Sequence, residues 1–122
     1  MPGPKWNGKS KTVKLAGTLL PWLGVQPQLV QVDDCDDFFL PLFSTEEKLR
    51  AFMVLLDHRM NRAATRYTIK EVTDGKDFVD SIFEGGVRVM LDPILLDNNR
   101  TRWTEIVRQG EELFGLFDAE RN

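Results

Sequence analysis

Three stretches of this chain hold residues whose types and spacing can do chemistry. The first is Gly3-Pro4-Lys5-Trp6-Asn7-Gly8-Lys9-Ser10, which fits G-x-x-x-x-G-K-[ST]. That spacing is the signature of a phosphate-binding loop, in which backbone amides and a lysine hold a nucleotide. Such a loop needs a strand before it and a helix after it, because the helix N-terminus supplies amides to the phosphates. Here only Met1 and Pro2 precede Gly3, and Val13, Leu15 and Leu19 downstream alternate like a strand. Pro4 also removes a backbone donor. The second stretch is Asp33, Asp34, Asp36 and Asp37 around Cys35. Carboxylates this dense can hold a hard cation, but the EF-hand glycine and twelfth-position glutamate are missing. They also form a docking point for a basic partner, and Asp33, Asp34, Asp36 and Asp37 are the candidate partner-binding residues. The third is the basic and aromatic set Lys5, Trp6, Lys9, Lys11 and Lys14, which can touch phosphates and stack on a base.

Other catalytic combinations are thin. His58 is the single histidine and Cys35 the single cysteine. A nucleophile and base need only meet in space, yet no elbow motif or orienting residue marks these two as a pair. One cysteine and one histidine do not make a zinc site. The sequence therefore predicts no catalytic residue, no metal and no cofactor. One cysteine also excludes an internal disulfide, which fits a reducing compartment.

The elements that must position these residues follow from hydrophobic spacing. At 122 residues, with 42% hydrophobic and 29% charged residues, the chain suits one ordinary domain able to bury a core. A net charge of −3 argues against general nucleic-acid or membrane-surface binding. No apolar run approaches the ~18 residues of a spanning helix, and no signal peptide is recognised, so the expected location is the cytoplasm. Residues 1–32 carry four lysines and no acid. Residues 1–11, rich in Pro, Gly and Lys, read as a flexible basic leader, with the single domain at 12–122.

Val13, Leu15 and Leu19 suggest an extended segment, and Gln28 to Val32 alternates again. Phe38 to Phe43 is a buried strand whose Pro41 implies an edge position or a bulge. Ser44-Thr45-Glu46-Glu47 reads as a capping box on Ser44, opening a helix that buries Leu49, Phe52, Met53, Leu56 and Met60. Tyr67 to Thr73 is a strand. Phe78, Val79, Ile82 and Phe83 form a short helix stopped at Gly85-Gly86. Val87 to Leu91 is a strand ending at Asp92-Pro93. Trp103, Ile106, Val107, Gly110, Leu113, Phe114 and Phe117 share one helical stripe, and Leu113 to Phe117 is expected to dock on the sheet, the alternative being a partner-binding patch. The fold class is thus α+β, a single domain of mixed β-sheet with two or three helices packed on it.

Two blocks resemble the N-terminal domain of the bacterial SseB family. Phe38-Phe39-Leu40-Pro41-Leu42-Phe43-Ser44-Thr45-Glu46-Glu47-Lys48-Leu49-Arg50-Ala51-Phe52 is similar to that family's strand-to-helix core. Gly85 to Pro93 is similar to its second block, with Asp92 where the family usually has Asn. The resemblance spans about residues 36–95 and implies an α+β domain of accessory or interaction type, with no catalytic residues to carry over. The expected function is a non-enzymatic protein-interaction or regulatory module of a bacterial or phage cytoplasm, of accessory, immunity or inhibitor type. The alternatives are nucleotide binding through Gly3–Ser10 and nucleic-acid binding through the basic leader.

Overall fold

The computed structural model describes residues 10–32, 36–73, 75–96 and 100–120. In chain order the elements are β1 (Ser10–Thr12), β2 (Leu19–Leu23), β3 (Gln26–Pro27), β4 (Val30–Gln31), β5 (Phe38–Leu42) and α1 (Glu46–Arg59). They continue with β6 (Thr68–Glu71), α2 (Gly75–Glu84), β7 (Arg88–Leu95), β8 (Thr101–Gln109) and β9 (Glu112–Glu120). One sheet runs β1-β9-β8-β7-β5-β4 and a second runs β3-β2-β6. A bridge between Leu19 and Phe43 joins them. All neighbours are antiparallel except β5 and β7, whose parallel pairing uses α1, β6 and α2 as the crossover. This is an α+β domain with two helices among the described residues.

The two helices lie on opposite faces of the six-stranded sheet, and the strands show why. Along β5, Phe39 and the following Phe43 pack with Leu49, Phe52, Met53 and Leu56 of α1. Leu40 and Leu42 point the other way, into a cluster with Val89, Ile106 and the α2 residues Phe78, Ile82 and Phe83. A strand buried on both faces reads as one continuous apolar run, as FFLPLF does. Phe39 also meets Trp103 edge-on, with ring centroids 5.6 Å apart.

Pro41 fits because of its neighbours. Phe43 N–H donates to the Leu19 carbonyl at 2.8 Å, away from β7. Two-residue alternation puts the Pro41 nitrogen on that same side. There β4 pairs only with Phe38 and Phe39, so the missing donor falls in a gap between two partners.

Several sequence expectations are corrected. Residues 103–117 are not a helix but the β8–β9 hairpin. Its turn is Gly110-Glu111, with Gly110 at φ +65° and Gln109 paired to Glu112. Positive φ at the first turn position matches strand twist and favours glycine. Strand β7 does not stop at Asp92-Pro93; it passes through them on a bulge between Leu91 and Ile94. A bulge removes the ladder bond that Pro93 cannot make. Residues 13–18 are not a strand, because the chain turns at Ala16-Gly17. Ser10 and Lys11 lie in β1 and not in a free leader; residues 1–9 are outside the described residues. The short helix near Phe78 ends as expected: Gly86 sits at φ +77°, with Gly86 N–H donating to Phe83 and Val87 N–H to Ile82.

Candidate functional site

The N-terminus of α1 is built one residue later than the capping box suggests. Thr45, not Ser44, is the N-cap: its Oγ1 accepts from Lys48 N–H at 3.2 Å. Ser44 is held elsewhere. Its N–H and Oγ both donate to the Asp92 carboxylate at 2.8 Å, and Lys48 Nζ reaches Ser44 Oγ and Asp92 at 3.3 Å. Asp92 reaches this position by taking φ +51°, an uncommon conformation for a residue with a side chain. Ser44, Lys48 and Asp92 are thus bonded to one another at the surface. The arrangement ties the start of α1 to the bulge of β7.

The other end of α1 shapes the candidate site. Asp57 is 9% exposed. It accepts Thr65 N–H at 3.0 Å, Thr65 Oγ1 at 2.6 Å and Arg62 Nε at 2.6 Å. Arg62 also donates to Gln28 Oε1 at 3.2 Å, so the loop after the helix is fastened to the segment before β4. These bonds, those from Thr65 foremost, hold the Asp57 carboxyl below its usual pKa against the opposing effect of burial. Arg59, next to His58 in the last turn, donates to the Leu96 and Arg100 carbonyls at 3.1 Å and to Thr101 Oγ1 at 3.3 Å. It fixes the β7–β8 connection against the helix.

Between these fastenings lies an apolar groove of about 280 Å³. Val30 and Val32 come from the β4 segment, Phe38 from β5, Phe52, Leu56 and Met60 from the helix and its cap, and Leu95 from β7. Phe38 is 52% exposed and Met60 55% exposed, so two large apolar side chains stand open to solvent beside it. The expectation that Met60 belongs to the buried stripe of α1 is therefore corrected. The helix ends at Arg59, and Met60, its cap, turns to the groove rim.

The acidic segment joins β4 to β5, whose facing ends line this groove. Asp33 and Asp34 are outside the described residues. Asp36 and Asp37 are both exposed. Gln31 Nε2 donates to the Asp36 carbonyl at 2.9 Å, leaving the Asp36 side chain facing solvent. Asp37 makes a 3.3 Å ion pair with Arg88. Arg88 in turn forks onto Glu105 at 2.9 and 2.5 Å and covers the Phe39 ring at 4.6 Å. The acidic segment is thus braced to the sheet at one end and continuous with an apolar groove at the other.

The remaining candidate residues are not brought together. Gly3 to Lys9 and Cys35 are outside the described residues, and His58 is exposed on α1. Ser10 opens β1, which pairs with β9 through Ser10–Leu116, Lys11–Gly115 and Thr12–Phe114. A strand therefore follows the phosphate-loop letters where the motif requires a helix. Among the described residues no three His, Cys, Asp or Glu side chains converge on a metal position. Leu113 and Leu116 pack inside the hairpin strand β9. The groove was invisible in sequence because its walls come from five separate elements, β4, β5, α1, β7 and β8; its one signal was Phe38, an aromatic residue directly after an acidic run.

Comparison with known protein families, with curated proteins and with solved structures returns no match.

Proposed function

We propose that this chain is a non-enzymatic protein-interaction module of regulatory or accessory type, which captures a basic, amphipathic polypeptide in the groove beside Asp36 and Asp37. The observation that carries this reading is Phe38. It is half-exposed at the junction of an acidic segment and an apolar groove. An apolar anchor in a groove gives affinity, and rim charge steers a partner of opposite sign. The two blocks similar to the SseB N-terminal domain contribute the neighbouring strands β5 and β7, and the Asp92 bonds link them. That adjacency supports extending the proposal to an SseB-like interaction domain. No helix among the described residues is long and apolar enough to cross a membrane.

The test uses a labelled amphipathic peptide of lysine, leucine and tryptophan, and the same peptide with every lysine replaced by glutamate. Fluorescence anisotropy reads binding to the full chain. The lysine peptide binds, weakens with salt, and loses affinity about tenfold or more with Phe38→Ala and with Asp36→Lys/Asp37→Lys. Equal binding by both peptides, or binding indifferent to Phe38, refutes the reading.

A further inference from the structure

Strand β6 pairs with β2 alone, at the margin of the β3-β2-β6 sheet. The hydrogen bonds show which of its sides is occupied. Val72 N–H donates to the Thr18 carbonyl and the Val72 carbonyl accepts Gly17 N–H, so Val72 faces β2. Alternation gives Lys70 and Thr68 the same direction. Glu71 and Ile69 sit opposite Leu19 and Pro21. Those two bond elsewhere: Leu19 exchanges bonds with Phe43, and the Pro21 carbonyl accepts Gln28 N–H. The backbone groups of Ile69 and Glu71 therefore point outward, in phase with those of Tyr67, and none of the described strands lies on that side.

Sheet edges are commonly guarded by proline, a bulge or an exposed lysine. Strand β6 holds no proline and its register with β2 is unbroken. Its lysine, Lys70, is drawn back over the Trp22 ring, with Nζ 4.0 Å from the centroid. Charge and phase then select what can pair there. Antiparallel pairing must bring the outward residues Tyr67, Ile69 and Glu71 opposite one another. Around a two-fold axis, a pair centred on Lys70 sets two lysines face to face, and one centred on Glu71 sets two glutamates. A pair centred on Thr68 sets Arg66 against Lys70. One centred on Tyr67 needs the Thr65 amide, which Asp57 already holds at 3.0 Å. A pair centred on Ile69 opposes no like charges: Ile69 meets Ile69, Lys70 meets Thr68 and Glu71 meets Tyr67. Directly opposed like charges destabilise a sheet, so the edge is complementary to itself in this one register.

We propose that β6 pairs edge to edge with β6 of a second copy of this chain, antiparallel about a two-fold axis at Ile69, joining two three-stranded sheets into one. Each outward residue exchanges backbone bonds with its counterpart, so the contact is isologous and closes as a dimer. Strands of four residues bury far less than the about 1,200 Å² of a stable interface, so the dimer is weak and depends on concentration. None of Thr68 to Glu71 lines the groove at the end of α1, so self-pairing here and capture of a partner there are separate events.

Sedimentation velocity of the full chain up to about 1 mM is the measurement, with circular dichroism to verify the fold of each variant. The expected result is reversible dimerisation. Glu71→Pro removes an outward donor and no bond to β2, and lowers the association constant at least tenfold. Thr68→Lys faces Lys70 of the other copy and weakens association severalfold; Thr68→Glu strengthens it. Phe38→Ala, which alters the groove, leaves it unchanged. If Glu71→Pro fails to fold, the opposite responses of the two Thr68 variants decide. A chain that stays monomeric overturns the inference. So does association indifferent to Glu71→Pro and to both Thr68 variants, or lost with Phe38→Ala. A monomeric chain whose Ile69 amide exchanges more slowly when a threonine-valine strand peptide is added takes a foreign strand at this edge, and the self-pairing falls.

Discussion

Replacing Asp57 by alanine removes the acceptor of three bonds at once, and their geometry sets the size of the effect. Oδ1 takes Arg62 Nε and Thr65 Oγ1, and Oδ2 takes Thr65 N–H. Hydrogen bonds to a charged group contribute about 1.5–3 kcal/mol each, but bonds of one network do not add. The Arg62 side chain is 28% exposed and recovers part of its hydration when released. The expected loss is about 2–4 kcal/mol, or roughly 6–20 °C in Tm for a domain of this size. Asparagine should do little better. Both carboxylate oxygens accept, so an amide must turn its NH₂ toward one of the existing donors. Urea unfolding at neutral pH measures both variants. The pH dependence provides a second arm. The Asp57 pKa is lowered by folding, so its stabilisation is complete above the unfolded-state value of about 3.9. It fades as pH falls through the folded-state value. The gap between wild type and Asp57→Ala is therefore constant above about pH 5 and shrinks in acid. An asparagine variant within ~0.5 kcal/mol of wild type, or a gap that widens in acid, refutes the reasoning.

Other outcomes follow from single features. Thr45→Ala removes the N-cap of α1 and should cost about 1 kcal/mol in thermal or urea unfolding. Gly110→Val places a β-branched residue at φ +65° in the hairpin turn and should cost about 1–2 kcal/mol or more, read the same way. Asp92→Asn keeps a residue tolerant of φ +51° and can accept the Ser44 N–H on its one oxygen, while its NH₂ requires the Ser44 hydroxyl to turn and accept and the exposed ion pair with Lys48 is lost, so unfolding should shift by about 1 kcal/mol; Asp92→Val, which loses every one of these bonds, should cost distinctly more. Trp103→Phe removes a buried indole N–H that has no acceptor among the described residues, which offsets the lost ring volume. The net change should stay near 1 kcal/mol, well below the about 3–5 kcal/mol of Trp103→Ala.

How far the sequence reveals this molecule depends on the range of the interaction. The α1 stripe was legible because Leu49, Phe52, Met53 and Leu56 meet one sheet face at helical spacing. The cap was misplaced by one residue because Ser44 is taken by Asp92, 48 positions away. Local reading sees two adjacent hydroxyls and cannot see a distant carboxylate choose between them. The stripe from Trp103 to Phe117 misled for a similar reason. Trp103 packs toward α1 and Ile106 toward α2, so a strand buried on both faces imitates helical periodicity. The contrary signals were Thr101, Thr104, Ile106 and Val107, all β-branched, and Gly110 in the middle of the stripe. Of the acidic residues, Asp36 and Asp37 are exposed, and the apolar wall that follows them in Phe38 needed tertiary structure to appear.

The pairing of β1 with β9 has a consequence for how the chain acquires its shape. Ser10 is translated long before Leu116, so an edge strand made early waits for the strand that encloses it. The parallel β5–β7 pair imposes a shorter delay of the same kind, since the strands flank the whole crossover. Contacts this remote close large loops before any compensating contact forms, which slows folding. On the ribosome, FFLPLF and α1 emerge with their apolar faces uncovered until β7 and β8 follow. Their dependence on chaperones should therefore be greatest when translation pauses between Phe43 and Arg88.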